Sequence, residues 1–125
     1  MSSVIIIDDD VDTVEVLKEY FEASKTDVLG CGYNGKDAVE LYKKHNPDFV
    51  LLDLSMPEFD GFYAIENIEK INPQAKIIIL TGSVDAESRK KLDGYQIYTI
   101  FTKPYNITEL ATMIKLRSKS EQVTI

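Results

Sequence analysis

Cysteine and histidine are scarce in this sequence, which has one of each among its 125 residues. Because Cys31 is alone, no disulfide bond can form within the chain, and we expect a reducing, cytoplasmic location. His45 has no second histidine or cysteine with which to share a metal ion, so we expect it to be a solvated residue at a helix end. Val4–Ile7 is too short an apolar run for a signal peptide, and no stretch approaches the length of a membrane span.

Basic residues are also few, since 14 lysines and arginines stand against 21 aspartates and glutamates and leave a net charge of −7. This balance argues against nucleic acid or a membrane surface as a direct partner. An apolar fraction of 44% is typical of a folded protein, and the length is near the commonest size of one domain. We therefore expect a single globular domain over residues 1–125.

Short apolar runs alternate with helical patterns along the chain. Val14, Leu17 and Phe21 recur with the spacing of a helix that buries one face. The apolar runs are rich in β-branched residues, which is typical of strands buried on both faces. Strands are predicted at Val4–Ile7, Thr26–Gly32, Asp48–Asp53, Lys76–Leu80 and Gln96–Thr102, each followed by a helix, of which the fourth covers Val84–Leu92. The alternation predicts an α/β fold with a parallel sheet covered on both faces.

Side chains that can cap a helix precede three of the predicted helices. Asn34 and Asn106 stand where the second and fifth helices begin, and Asp10 stands before the first. Their side-chain oxygens can accept hydrogen bonds from the free N–H groups of the first helical turn. We therefore expect Asp10 to be a helix cap, whereas Asp8 and Asp9 remain available for another role.

Reactive side chains stand at or after the ends of four of the five predicted strands. Asp8 and Asp9 follow the first, Asp53 stands at the end of the third, Thr81 follows the fourth and Lys103 follows the fifth. In an open parallel sheet, ligands bind beyond the carboxyl ends of the strands, where the strand order reverses. We therefore expect three carboxylates, one hydroxyl and one ammonium group to converge there.

This set of groups suits phosphoryl chemistry. Asp8, Asp9 and Asp53 offer the oxygen ligands that Mg²⁺ prefers, and the ion would hold the acids ionised. Lys103 offers a positive charge and Thr81 a hydrogen bond to phosphoryl oxygens. A carboxylate can attack phosphorus to form an acyl phosphate, and we expect Asp53 to be that nucleophile.

Four motifs in this order resemble the receiver domain of response regulators in two-component signalling. They are Ile5–Asp10 (Ile-Ile-Ile-Asp-Asp-Asp), Leu51–Gly61 (Leu-Leu-Asp-Leu-Ser-Met-Pro-Glu-Phe-Asp-Gly), Leu80-Thr81-Gly82 and Phe101-Thr102-Lys103-Pro104. The resemblance implies a flavodoxin-like (βα)5 three-layer sandwich with a five-stranded parallel sheet of order 2-1-3-4-5. It implies that Asp8, Asp9, Asp53 and the backbone carbonyl of Ser55 hold magnesium, and that the Lys103-Pro104 bond is cis.

The resemblance also implies a function. Asp53 would take a phosphoryl group from the phosphohistidine of a sensor histidine kinase, from a phosphotransfer protein or from a small phosphodonor. The protein would be a phosphoacceptor signalling switch that assists only its own phosphorylation and dephosphorylation, not an enzyme. Phosphorylation would recruit Thr81 and Lys103 and change the binding surface of the fourth helix and fifth strand. The chain would be one receiver domain over residues 1–125 with no output domain.

Four positions depart from the family pattern or adjust it. Gly82 stands where the family usually has a small residue such as alanine. Ile100 stands where the family has an aromatic switch residue, and Tyr98 is expected on the same strand face because side chains alternate with a period of two. Ser55 and Ser83 occupy positions at which the family tunes dephosphorylation.

Three alternatives remain. Asp10–Val14 resembles the first motif of haloacid-dehalogenase-type phosphatases, but only Glu109 and Glu121 follow Lys103 as candidate metal ligands, and neither lies at a strand end. Gly30–Gly35 fits a dinucleotide-binding pattern, but it follows an edge strand and nearby acids would repel a pyrophosphate. The chain could also be a receiver segment of a longer regulator or hybrid kinase.

Overall fold

Strands and helices alternate from one end of the protein to the other. The computed structural model describes residues 2–82 and 84–123, the last six of these in their backbone only. The elements are β1 (Ser3–Ile7), α1 (Val11–Ala23), β2 (Asp27–Gly32), α2 (Gly35–His45), β3 (Phe49–Leu52), α3 (Gly61–Ile71), β4 (Ile77–Thr81), α4 (Ala86–Leu92), β5 (Thr99–Thr102) and α5 (Ile107–Val123). Thr81 is thus the last residue of β4 and not the first residue after it.

The strands form one parallel sheet in the order β2-β1-β3-β4-β5. This order confirms the predicted flavodoxin-like fold. The chain leaves β1 toward one edge of the sheet and then returns past it to β3, so the strand order reverses between β1 and β3. The carboxyl ends of these two strands are aligned, since Ile7 pairs with Leu52.

Two hydrophobic cores lie on opposite faces of the sheet. The core formed with α1 and α5 contains Phe21 and Phe49, and the core formed with α2, α3 and α4 contains Ile65 and Ile68; all four side chains are at most 1% exposed. Successive β1 residues point to alternate cores, as the pleat of a strand requires. Burying an aliphatic or phenyl side chain fully stabilises a fold by about 1.5 to 3 kcal/mol, so both faces hold the sheet in place.

Asparagine caps form where they were predicted. The Asn34 side chain accepts a hydrogen bond from the Asp37 N–H at 2.9 Å, and Asn106 accepts from the N–H groups of Thr108 and Glu109. The prediction for Asp10 is wrong in its detail. Asp10 occupies the cap position of α1 but makes no side-chain bond to the helix backbone, because its carboxylate accepts instead from the Thr13 hydroxyl at 2.6 Å.

The stretch before β5 differs from its prediction. The strand begins at Thr99 and not at Gln96, and the backbone bends at Tyr98. Tyr98 packs against the α1/α5 core with its ring edge-on to Phe49, whereas Ile100 packs against the opposite core. The expectation that Tyr98 and Ile100 share a face is therefore wrong, because the two-residue period starts only where the strand does.

Helix α4 is the most weakly packed helix for which burial is fully described. It starts at Ala86, two residues later than predicted, and Leu92 is its buried residue. The ammonium group of Lys91 lies 4.3 Å from the centre of the Phe62 ring on α3. This contact and Leu92 hold the carboxyl end of α4 against the sheet.

Cys31 is partly buried at the edge of the α1/α5 core. Within residues 2–82 and 84–123, no helix is both long and apolar enough to cross a membrane.

Candidate functional site

The predicted site residues meet at the carboxyl edge of the sheet. Asp8 and Asp9 follow β1, and Asp53 follows β3, where its N–H donates to the carbonyl of Ile7 at 3.0 Å. Lys103 follows β5, and its N–H donates to the carbonyl of Thr81 at 2.7 Å. The backbone bonds of the sheet therefore continue one residue beyond the strands and fix where these side chains start.

Three carboxylates form a compact acidic cluster. One carboxylate oxygen from each of Asp8, Asp9 and Asp53 lies within 4.8 Å of the others. Asp8 and Asp53 are buried, at 5% and 6% exposure, whereas Asp9 is exposed. Two acids are thus withdrawn from water and the third closes the cluster on the solvent side.

Both oxygens of Asp8 are held by donors. Oδ1 accepts from the Asp10 N–H at 2.9 Å, and Oδ2 accepts from the Lys103 ammonium group at 3.0 Å. The Lys103 side chain is one-third exposed, so this ion pair is only partly screened by water. The contacts fix the orientation of the Asp8 carboxylate toward the cluster.

The charges of the cluster perturb its ionisable groups. Burial, and next the charge of Asp8, raise the pKa of Asp53 from 3.8 to about 6, although Lys103 and the Ser55 N–H act in the opposite direction. Burial lowers the pKa of Lys103, but its hydrogen bond to Asp8 and the charges of Asp53 and Asp8 outweigh burial and raise it. The site therefore has an excess of negative charge that a bound cation would relieve.

The donor set fits Mg²⁺. All three side chains offer carboxylate oxygens, the hard ligands that this ion takes at about 2.0 to 2.1 Å. In the octahedral geometry that Mg²⁺ prefers, neighbouring ligands lie about 3 Å apart and opposite ligands about 4.2 Å apart, so the three oxygens, which lie within 4.8 Å of one another, would draw closer around a bound ion. Burial and the charge of Asp8 raise the pKa of Asp53, and a cation bound among the acids would oppose this rise.

The β3–α3 loop, residues 53–60, runs along one side of the cluster. The Ser55 N–H points to Oδ1 of Asp53 at 3.4 Å, and the Gly61 N–H donates to the Leu54 carbonyl at 3.0 Å. A Cβ on Gly61 would lie 2.7 Å from Cα of Leu54, so only glycine fits here. The loop is held closely at its end, which places Ser55 beside Asp53.

Tyr105 also belongs to the surroundings of the site, and the sequence reasoning did not single it out. Burial raises the pKa of its hydroxyl, Lys103 opposes this, and the charges of Asp8 and Asp53 add to it. Its ring packs edge-on to Phe101 at 6.1 Å between centres. Its position directly after Lys103-Pro104 is the signal that could have found it. The Lys103-Pro104 bond is cis, as the resemblance implied.

Residues of the rival hypotheses lie elsewhere. The Asp10 carboxylate is exposed, faces Thr13 and is not part of the acidic cluster, and Glu109 lies exposed on α5. Gly30–Gly35 spans the end of β2 and the start of α2, and β2 is an edge strand as expected. Ser83, for which the resemblance implied a role in dephosphorylation, lies outside the described residues.

The chain belongs to the response regulator receiver domain family, because residues 4–115 match the model of that family. It is similar to the chemotaxis protein CheY of Thermotoga maritima, with 43% identity over 79 residues, 63% of this chain and 66% of that protein. The response regulator VraR of Staphylococcus saprophyticus is 34% identical over 115 residues, 79% of this chain and 55% of that protein.

A solved structure extends the similarity to the whole fold. The complex of CheX and CheY with BeF3 and Mg²⁺ from Borrelia burgdorferi contains a chain with a TM-score of 0.80 and 28% identity, over 98% of this chain and 90% of that chain. Receiver domains are phosphoacceptor signalling switches that bind Mg²⁺ at an acidic pocket, and this chain has such an acidic cluster. The phosphatase alternative is not favoured.

Proposed function

We propose that Asp53 is the phosphoacceptor of this receiver domain and that Asp8, Asp9, Asp53 and the backbone carbonyl of Ser55 hold Mg²⁺. The observation that carries the proposal is the meeting of three carboxylates within 4.8 Å at the point where the strand order reverses. Bound there, the ion would neutralise charge on the acids and on the incoming phosphoryl oxygens.

The chain's own side chains then have distinct roles. A carboxylate oxygen of Asp53 attacks phosphorus, the bond from phosphorus to the donor breaks, and the donor leaves with its electron pair. With a phosphohistidine donor the leaving group is imidazole, and the product is an acyl phosphate. The Thr81 hydroxyl and the Lys103 ammonium group bind oxygens of the transferred group, for which Lys103 turns away from Asp8.

The output is a change of surface. Phosphorylated Asp53 draws Thr81 and Lys103 toward it, and these residues end β4 and follow β5. Helix α4 joins these two strands and has one described buried residue, Leu92, so it is the element that repacks. The domain assists its own phosphorylation and dephosphorylation and turns over no small molecule.

The partners follow from this role. A sensor histidine kinase or a phosphotransfer protein donates the phosphoryl group, and a small phosphodonor can replace it. One relative forms a complex with CheX, and a protein of that kind is a candidate partner here. Direct binding of nucleic acid is not part of the proposal, because the net charge is −7.

Residues 1–125 form a single receiver domain in this proposal, with no output domain within the chain. The alternative is a receiver segment of a longer regulator or hybrid kinase. The matched part is 55% of VraR, so longer relatives do exist. The length of the encoding gene distinguishes the two.

Incubation with acetyl phosphate and Mg²⁺, followed by intact-mass measurement, tests the acceptor. We expect one added phosphoryl group, which is lost in Asp53→Asn and strongly reduced by EDTA. The matched variant Asp48→Asn changes an exposed aspartate at the opposite end of β3 and should still be labelled. Labelling that persists in Asp53→Asn would refute the proposal.

The same preparation tests the phosphatase alternative. A haloacid-dehalogenase-type enzyme would hydrolyse phosphomonoesters with Asp10 as its nucleophile. We expect no such turnover, and we expect Asp10→Asn to be labelled by acetyl phosphate. Rapid hydrolysis that survives Asp53→Asn and disappears in Asp10→Asn would establish the phosphatase instead.

A further inference from the structure

Three aromatic side chains are exposed on the loops and first helical turns around the carboxyl edge of the sheet. Tyr33, Phe59 and Tyr63 are 40%, 44% and 36% exposed. Phe59 lies in the β3–α3 loop and Tyr63 in the first turn of α3, with 4.9 Å between their ring centres. Tyr33 lies in the adjoining loop between β2 and α2. We call these three residues the aromatic rim.

The backbone fixes the outward position of Phe59. Glu58 and Phe59 have φ angles of 47° and 50°. This left-handed conformation is unfavourable for most residues other than glycine. The Phe59 carbonyl accepts a hydrogen bond from the Gly35 N–H, and a side chain on Gly35 would collide with that carbonyl. The fold thus holds a strained loop closely against α2, yet 44% of the Phe59 side chain stays in water. Backbone strain that is not offset by burial of the side chain is typical of functional sites that contact a ligand or a partner.

The charges around the aromatic rim favour a positively charged partner. Glu58 and Asp60 are exposed in its loop, Glu66 is exposed on α3 with the Lys70 ammonium group 3.9 Å from its carboxylate, and the whole chain has a net charge of −7. The Lys36 ammonium group lies 5.9 Å from the centre of the Phe59 ring, near the outer limit for attraction between a cation and an aromatic face. The Phe59 ring therefore already attracts the Lys36 ammonium group, and at this distance the attraction is weak.

We propose that the aromatic rim docks a segment of a partner protein in which an arginine lies beside apolar side chains. The guanidinium group would stack on Phe59 or Tyr63, the apolar neighbours would cover the rest of the rings, and the surrounding acids would steer the approach. Arginine suits this place better than lysine, because its planar group stacks on rings and is less strongly hydrated. The proposal does not depend on phosphorylation of Asp53.

The probe is the peptide acetyl-Leu-Arg-Ala-Leu-amide, titrated into the isotope-labelled full chain while the ring resonances of Phe59 and Tyr63 are followed by NMR. Matched peptides carry citrulline or glutamate in place of arginine. We expect the arginine peptide to shift the rim resonances and the citrulline peptide to bind about threefold more weakly, since citrulline keeps the shape and loses the charge. The difference should shrink at high salt.

Two variants sharpen the test. Phe59→Leu keeps an apolar side chain but removes the aromatic face, so the preference for arginine over citrulline should fall. Leu116→Ala changes an apolar residue of α5 that is 61% exposed and lies outside the rim, and it should leave the titration unchanged. The amide spectrum of each variant reports whether it is folded.

Four results would overturn the proposal. They are absence of any rim shift with the arginine peptide, equal affinity for the citrulline peptide, tighter binding of the glutamate peptide, and concentration-dependent rim shifts without peptide. The third would indicate an acidic partner attracted by Lys36, and the fourth a second copy of this chain.

Discussion

The ammonium group of Lys103 lies 3.0 Å from Oδ2 of Asp8, so a side chain that follows β5 reaches the carboxylate that follows β1. In the sheet order, β3 and β4 lie between these two strands. Lys103 is therefore a counter-ion of the acidic cluster before any metal binds. In the proposed magnesium site, Asp8 would be shared between the ion and Lys103, and a Lys103 released from Asp8 would be free to bind a phosphoryl oxygen.

Lys103→Met tests this arrangement. In EDTA we expect the free energy of unfolding to fall by about 1 to 2 kcal/mol, because the buried Asp8 loses its partner. Saturating Mg²⁺ should recover most of the loss, since the ion supplies the missing positive charge. Urea denaturation with EDTA and with Mg²⁺ measures both values. Lys18→Met, at an exposed position of α1, is the matched control. An equal loss with and without Mg²⁺ would contradict the prediction.

Asp53 should make stability depend on pH in the metal-free protein. Its pKa is raised from 3.8 to about 6, so between these values the folded state binds more protons than the unfolded state. The free energy of unfolding should therefore fall as pH rises from 4 to 6. Above pH 6 the carboxylate is ionised in both the folded and the unfolded state, and no further loss is expected from Asp53.

Asp53→Asn removes that charge. At pH 7 in EDTA we expect the free energy of unfolding of the variant to exceed that of the parent protein by about 1 to 2 kcal/mol, after allowance for solvent screening. The difference should approach zero at pH 4, where Asp53 is protonated in the folded state. Glu40→Gln, at an exposed position of α2, should show no comparable gain. A less stable Asp53→Asn at pH 7 would refute the argument.

Glu58→Gly should stabilise the protein. The φ angle of 47° at Glu58 costs a residue with a Cβ about 1 kcal/mol, whereas glycine adopts it freely. We expect a gain of about 0.5 kcal/mol after the added flexibility of the unfolded chain is subtracted. Glu66→Gly, in the middle of α3, should instead lose about 1 kcal/mol. Urea denaturation of both variants gives the contrast, and a loss at both positions would mean that residue 58 is not strained.

Gly82→Ala is expected to be tolerated or stabilising. A Cβ on Gly82 would meet no atom within 4 Å, and its φ angle is not positive. Alanine should add about 0.4 to 1 kcal/mol by restricting the unfolded chain. Gly61→Ala is the opposite case, because its Cβ would lie 2.8 Å from the Asp53 carbonyl oxygen. In thermal unfolding, the melting temperature of Gly82→Ala should be equal to or above that of the parent protein, and that of Gly61→Ala should be below it. The reverse order would contradict the geometry.

Helix α4 should exchange its amide hydrogens faster than α1. Leu92 is its buried residue, whereas α1 buries Val14, Leu17 and Phe21. Lys91→Gln removes the cation over Phe62 and should speed exchange in α4 about threefold. Lys90→Gln, one residue earlier and exposed, should not. Hydrogen exchange with mass spectrometry measures this, and a beryllofluoride adduct should alter α4 more than α1. Equal protection of the two helices would count against a mobile α4.

Much of the site was predictable because strand ends are local features. Apolar runs stop at Ile7, Leu52 and Thr102, and the parallel sheet then brings the next side chains together without further information. The asparagine caps were predictable for the same reason, since a cap bonds to residues two or three positions away.

Features that depend on distant contacts were not predictable. The carboxylate that Lys103 contacts depends on how far its side chain reaches across the sheet, over 95 positions of sequence. The left-handed conformation of Phe59 lacks the usual glycine or asparagine signal, and the Gly35 N–H that bonds to its carbonyl comes from a distant segment of the chain. Tyr98 looked like a strand residue from its neighbours, but the backbone bends there even though its N–H donates to the Ile77 carbonyl of β4 at 2.9 Å, and its ring packs against Phe49.

The short α4 has a consequence for how related proteins can diverge. Its seven residues contribute Leu92 to the core and Lys91 to the contact with Phe62, so substitutions at the other five open no cavity and leave both cores intact. Charge and shape at those five positions can therefore change while the acidic cluster, Lys103 and the sheet stay the same. The surface of α4 can diverge among related proteins without a change at the carboxyl edge of the sheet.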